Sequence, residues 1–322
     1  MKQDAHKAEL TARTAVRTEV ITAADAGRRL DNVLMNLIKH APKGLIYKLL
    51  RSGQVRVNSG RAKPDYRVIE GDRVRVPPVI PNSAERDTVP PSRLEQLRGA
   101  IVHEDAHLIV VNKPSGLACH GGTGLSYGVI EVMRALRPEL TRLDLAHRLD
   151  RETSGCLVLT KDLGTLQAFH GALRERETCK QYVALLRGHV PDDLMRIDAH
   201  LNTRRNEHGE RRAEVEEGGK AAATVVEQRR RYGANTLVRL RLETGRMHQI
   251  RAHARYIGHP IAGDREYGDA KFNREMKRHG LRRLFLHAER IAVTASTSSV
   301  DVVVPPGPDL EAVLESIERA AS

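Results

Sequence analysis

Residues 147–155 read His-Arg-Leu-Asp-Arg-Glu-Thr-Ser-Gly, and the text on either side of this stretch decides the architecture. It follows Leu-Asp-Leu-Ala at 143–146, which reads as a short strand, and it runs into Gly-Cys-Leu-Val-Leu-Thr at 155–160, an apolar run of strand length. Asp150 therefore falls on a turn at a sheet edge, where a rigid scaffold offers a carboxylate to an approaching substrate.

Working outward, further strand text appears as HLIVVN, YVALLRG, TLVRLRLE, RIAVTA and VDVVVP, separated by helical stretches such as Leu163–Glu177. This mixed order predicts an α+β domain around one mixed sheet, spanning residues 99–322. Upstream, PPVIPNSAERDTVPPSR interleaves prolines with polar residues, which neither a continuous helix nor a central strand accommodates, so 79–98 is expected to be a linker. Residues 1–20 lack apolar periodicity and are expected to be a disordered arm. The charged, unmatched stretch 200–218 is read as a surface loop or hairpin.

Between Arg28 and Arg75 the chain carries twelve Lys and Arg against four Asp and Glu, a net +8 out of +12 for the whole protein. Leu30, Val33, Leu34, Leu37 and Ile38 lie on one helical face, a second short amphipathic helix runs over 43–50, and QVRVN and DRVRVPP alternate as strands. Such a compact basic module calls for a polyanionic partner. Two helices followed by two strands, with Arg-Leu-Asp near the start, resemble the S4 RNA-binding domain, placed here at 21–78. The resemblance implies phosphate contacts by Arg29, Lys43, Lys48, Arg51, Arg56 and Lys63.

Composition narrows the rest. The chain has no apolar run of membrane-spanning length, and Asp4, Glu9 and Glu19 stand where a signal peptide needs an apolar core, so a cytoplasmic protein without membrane attachment is expected. Three widely spaced cysteines, Cys119, Cys156 and Cys179, support neither a disulfide framework nor a zinc knuckle. His248 and His253 are five apart on a helix expected over Met247–Ile257, and so point to different faces; with His147 they make no metal set, and none is expected. Cys119 and His120 are neighbours in a strand and face opposite sides of it, which excludes a thiol–imidazole pair. No helix-turn-helix or finger pattern points to DNA.

The decisive matches lie in the second domain. His147–Gly155 resembles the H-R-L-D-x-x-T-S-G signature of the RluA/RluC-type pseudouridine synthases. The same family's other segments follow in order: Asn112-Lys113-Pro114-Ser115-Gly116; Lys180-Gln181-Tyr182-Val183-Ala184; Leu242–His253 as L-x-T-G-R-x-H-Q-I-R-x-H; G-H-P-I-x-G-D-x-x-Y-G at Gly258–Gly268; and Arg283–Ala288 as R-L-F-L-H-A. Within the family the closest likeness is to a subgroup acting on 23S ribosomal RNA. One departure, Ser296-Thr297-Ser298-Ser299 where relatives often carry His-Pro, lies away from these segments.

The resemblance implies a cofactor-independent isomerase. Cleaving the glycosidic bond of uridine and rejoining C1′ to C5 needs a carboxylate beside the sugar, able to attack carbon or to remove a proton from C2′. The family assigns this role to the residue matching Asp150 and a salt bridge with that Asp to the match of Arg251. The resemblance implies that Tyr182 lies against the uracil and assists loss of the C5 proton, and that Arg148 wedges into the stack that the extruded base vacates. Two rival readings stand beside this one: a catalytically silent RNA-binding assembly factor, and a uracil glycosylase releasing free base. A monomer suffices for all three.

Overall fold

The structure is a computed structural model that describes residues 16–38, 41, 43–78, 89–122, 126–175, 177–205, 211–294 and 299–321, with the Lys43 side chain outside the description. Residues 1–15 of the expected arm, 79–88 of the expected linker and 296–298 of the departing turn lie outside the described residues. The chain divides into two compact units, one within Met1–Thr88 and the other from Val89 onward apart from Gly122–Ser126.

In the first unit, β1 (Arg17–Val20), α1 (Leu30–Leu37), α2 (Lys43–Arg51), β2 (Arg56–Val57) and β3 (Arg73–Val76) form a helix pair on a three-stranded antiparallel sheet ordered β1-β3-β2. Its core is the apolar stripe read from the sequence: Leu30, Val33, Leu34 and Ile38 pack with Ile46, Leu49, Leu50, Val57 and Val74. Two buried carboxylates organise its loops. Asp31 accepts from the Arg29 guanidinium at 3.1 and 2.9 Å and from the Tyr47 hydroxyl at 2.9 Å, while Asp72 accepts from Asn58, Tyr66 and the Ile69 N–H. The arm expected over 1–20 is corrected at its end: Arg17–Val20 is a strand, because its alternating burial lets it complete the ladder of β3.

The second unit opens with α3 (Pro91–Arg98), which corrects the linker expected over 79–98. Pro91 sits in the first turn, where its missing N–H costs nothing, and the helix buries Leu97. The strands β4 (Ile101–Glu104), β5 (Leu108–Lys113), β6 (Asp144–Leu145), β7 (Ser154–Thr160), β8 (Thr178–Leu186), β9 (Arg196–Asp198), β12 (Ala223–Tyr232), β13 (Asn235–Leu242), β14 (Leu286–Thr294) and β15 (Ser299–Val303) make one sheet along the path β4-β5-β7-β14-β8-β13-β12-β9, with β15 beside β14 and β6 beside β7. The pairing of β7 with β14 is parallel and those of β8 with β13 and β14 are antiparallel, so the sheet is mixed.

Both faces of this sheet are covered, which is why its central strands read as continuous apolar runs. Along β7, Leu157 and Leu159 enter the main core with Val129, Met133 and Phe285, whereas Cys156 and Val158 enter a second core with Phe169 and Ile291. The helices are α4 (Val129–Leu136), α5 (Leu163–Glu175), α6 (Gln249–Tyr256), α7 (Ala270–Arg278) and α8 (Pro308–Ala321). Residues 200–218 hold an antiparallel hairpin of β10 (Leu201–Arg205) and β11 (Arg211–Val215), anchored by Leu201 and Ala213 under Tyr267.

Candidate active site

The turn carrying Asp150 hangs between β6 and β7, and two of the sequence segments singled out above hold its ends. Lys113 is completely buried, and its ammonium donates to the carbonyls of Pro114, Leu117 and Arg151 at 2.9, 2.7 and 2.9 Å. Gly116 N–H donates to Arg151 O, Ser115 Oγ donates to Glu152 O at 2.7 Å, and Cys119 Sγ bridges the N–H and the carbonyl of Leu149 at 3.2 Å each. The N-K-P-S-G turn is thus a clamp on the Asp150 turn, and buried Cys119 adds to it, its thiol pushed up by burial.

At the other end, Ser154 Oγ accepts from Arg283 at 3.0 Å and meets His287 Nδ1 at 2.8 Å. Because His287 Nε2 faces Val304 O at 2.8 Å, its proton sits there and Ser154 donates to Nδ1. Gly155 has φ +108, and a Cβ there would lie 2.2 Å from Ala288 O, so the first step of the parallel β7–β14 pairing admits no side chain. His147 accepts the Val158 N–H and stacks on Phe169; burial pushes it down to about 3, so it is neutral. His253 lies between Thr224 Oγ1 and Ala199 O, also in the core.

Asp150, Arg148, Tyr182 and Arg251 line one cavity of about 960 Å³, together with Lys180, Arg246, His248 and, from the hairpin side, Thr203 and Arg211. Arg148 is exposed, whereas Asp150 is half-buried. Tyr182 projects from β8 and is buried; burial and the charge of Asp150 push its phenol well up, which keeps it protonated at neutral pH and argues against a role as proton acceptor.

Arg251 reaches Asp150 at ion-pair distance but binds another carboxylate more closely. Its Nη1 is 4.0 Å from Asp150 Oδ2, but its close partner is Asp264, which accepts from Nε and Nη2 at 2.7 and 2.8 Å, with Glu266 at 3.1 Å from Nη2. The reason is desolvation: the Asp264 side chain is fully buried, and a buried carboxylate needs the two-pronged donor more than the half-exposed Asp150 does. Asp264 also accepts the N–H groups of Glu266 and Tyr267, and the Arg251 guanidinium lies 4.7 Å from the Tyr267 ring centroid. Asp264 belongs to the G-H-P-I-x-G-D-x-x-Y-G segment, but an Asp between Gly263 and a charged Arg265-Glu266 pair carries no sign of burial in the sequence.

The helix expected over Met247–Ile257 starts only at Gln249. His248 is left-handed at φ 52, and the Gln249 side chain ties the turn before it, accepting from Thr244 Oγ1 at 2.7 Å and Arg246 N–H at 3.0 Å. In the first unit, Arg29 is committed to Asp31, and Arg56 donates to Gly53 O and Ser59 O; Lys48, Arg51 and Lys63 are exposed. Lys43 opens α2, its side chain outside the description.

A carboxylate turn clamped beside β7 of a mixed sheet, in a chain that also carries a basic helical module, defines an RNA pseudouridine synthase, and the chain belongs to that family. The family model for RNA pseudouridylate synthase matches residues 107–256, and the S4 domain model matches residues 28–74. Ribosomal large subunit pseudouridine synthase C of Escherichia coli strain K12 is 46% identical over 284 residues, covering 87% of this chain and 89% of that protein. The protein of the same name from Pasteurella multocida strain Pm70 is 42% identical over 322 residues, 98% of each chain. Among solved structures, human RNA Pseudouridylate Synthase Domain Containing 1 superposes with a TM-score of 0.56 at 27% identity, over 70% of this chain and 90% of that one.

Proposed function

We propose that this synthase isomerises uridine to pseudouridine in 23S ribosomal RNA, with Asp150 as its catalytic carboxylate and no cofactor. The observation that carries the reading is the convergence of Asp150, Tyr182, Arg148 and Arg251 on one cation-lined cavity. The large-subunit substrate rests on the relatives named above. A stacked uridine has to leave its helix to reach Asp150, at a cost of a few kcal/mol, and exposed Arg148 is the residue placed to fill the gap. Tyr182 supplies a ring for the uracil and a phenol for hydrogen bonding. Arg251, anchored by Asp264, presents its remaining Nη1 toward Asp150, the carboxylate that either attacks at C1′ or removes a proton at C2′. Lys48, Arg51 and Lys63 of the first unit are suited to phosphates, and the enzyme works as a cytoplasmic monomer. No described helix is long and apolar enough to cross a membrane.

The test is tritium release from [5-³H]uridine-labelled 23S RNA transcript, wild type against Asp150→Asn, with free uracil assayed in parallel. Release by wild type alone, without free uracil, is expected. Free uracil would make the protein a glycosylase, and silence with retained RNA binding would make it a binding factor.

A further inference from the structure

His248 stands beside the catalytic carboxylate in a conformation that few side chains adopt. Its φ of 52 is left-handed, tolerated by His better than by most residues but costly, and such outliers persist where the surroundings over-determine them. Here Gln249 pins the turn in front, and Tyr267 pins the ring. The Tyr267 hydroxyl accepts the Ala213 N–H at 2.8 Å, which turns its own proton to His248 Nδ1, 3.0 Å away and the one acceptor it meets among the described residues. An accepting Nδ1 places the proton of the neutral ring on Nε2, and Nε2 lies 3.9 Å from Asp150 Oδ1.

Arg251 Nη1 lies 4.0 Å from the other oxygen of the same carboxylate. Each oxygen of Asp150 is thus faced by one N–H group, too far for a direct hydrogen bond and near enough for electrostatic attraction. We propose that His248, its tautomer set by Tyr267, is a positioning residue for Asp150: its Nε2–H restrains Oδ1 while Arg251 restrains Oδ2, leaving the reactive lone pairs to the substrate. The proposal rests on Asp150 being the catalytic carboxylate. Other charged or titratable groups around Asp150 include Tyr182 from β8, Lys113 and Cys119 from the clamp, Arg148, Arg151 and Glu152 on its own turn, and Lys180, Arg211 and Arg246 across the cavity. Behind the ring, Glu266 Oε2 is 3.6 Å from His248 Nδ1.

The experiment is single-turnover tritium release by the full chain over a range of pH, with RNA affinity measured separately, for His248→Asn, Tyr267→Phe and Asp150→Asn. Asn keeps access to the left-handed backbone while removing the imidazole. An N–H aimed at a carboxylate favours its anion, so its loss moves the acidic limb of the rate to higher pH. For His248→Asn we expect that limb to move by about half a pH unit or more, with a loss of roughly tenfold in rate near neutrality and unchanged RNA affinity. Tyr267→Phe, which keeps the ring and frees its tautomer, shifts the limb the same way by less, and it reads the same limb should His248→Asn fail to fold. A reduced rate with an unmoved limb, or a loss confined to RNA binding, overturns the proposal. Turnover by Asp150→Asn would instead overturn the assignment of Asp150, whatever the His248 variant does.

Discussion

Replacing Asp264 by Asn should destabilise the second unit by about 3 kcal/mol at neutral pH, toward the lower end of the usual cost of breaking a buried ion pair. The Arg251 and Asp264 side chains are 9% and 0% exposed and approach to 2.7 Å, so solvent does little screening. At an effective dielectric of about 20 that separation corresponds to roughly 6 kcal/mol of attraction, most of it offset by the desolvation of the two ions. The variant retains the desolvation of Arg251 and loses the compensation, which is why removing one partner costs more than the pair contributes. Glu266, 3.1 Å from the same guanidinium and partly exposed, takes up part of the charge and sets the value at the low end of the range.

The sign of the pH dependence follows from the same pair. Burial alone would raise the Asp264 carboxyl, but the hydrogen bonds and charge of Arg251 and the N–H groups of Tyr267 and Glu266 outweigh it and hold the group below the usual carboxylate range. A folded-state value below the unfolded one, about 3.9, means stabilisation that is present above that pH and drains away as pH falls through the folded value. Urea unfolding of wild type and Asp264→Asn, followed by circular dichroism at neutral pH and in acid, should show a gap that narrows below about pH 4. A gap under about 1 kcal/mol at neutral pH, or one that persists unchanged in acid, would refute the reasoning.

Two further predictions concern the clamp and the basic module. Burial pushes Lys113 down to about 8 against the pull of nearby Cys119, Glu152 and Asp150. Between that pH and the ordinary lysine value the unfolded chain holds a proton that the native one does not, so the urea midpoint of wild type should rise with pH across this window relative to Lys113→Met. At neutral pH the Met variant, leaving three carbonyls without their donor, should lose about 2 kcal/mol or more. In the first unit, single Ala substitutions at Lys48, Arg51 and Lys63 should each lower the slope of log K against log salt by about 0.7 to 0.9 in filter binding to 23S RNA. Arg29→Ala should act differently, unfolding that unit at lower urea because Asp31 is then buried without its cation.

Much of this protein was legible in its residues because the signals are local. Helix stripes such as Leu30–Ile38, strand runs such as Leu157–Leu159 and the nine-residue segment around Asp150 declare themselves within a few positions, and the S4-like module and the α+β domain followed. The segments quoted around Lys113, Tyr182, Arg251 and Arg283 also returned to one place, all within reach of the Asp150 turn or its cavity. What stayed hidden were elements whose outward faces carry charge. Arg17–Val20 reads as polar text, and Pro91–Arg98 reads as linker although prolines that stop a helix interior are harmless in its first turn.

The sequence by itself determined which groups line the cavity, a carboxylate, a guanidinium and a phenol, and that the chain also carries a basic module. Tertiary structure alone decided how those groups are shared. Whether Arg251 serves Asp150 or Asp264 depends on which carboxylate is stripped of water, and burial is a property of the packed sheet and helices, not of residue identity. The same holds for His248, whose donor face toward Asp150 exists only because Tyr267 and the Ala213 N–H, distant in the chain, meet behind it.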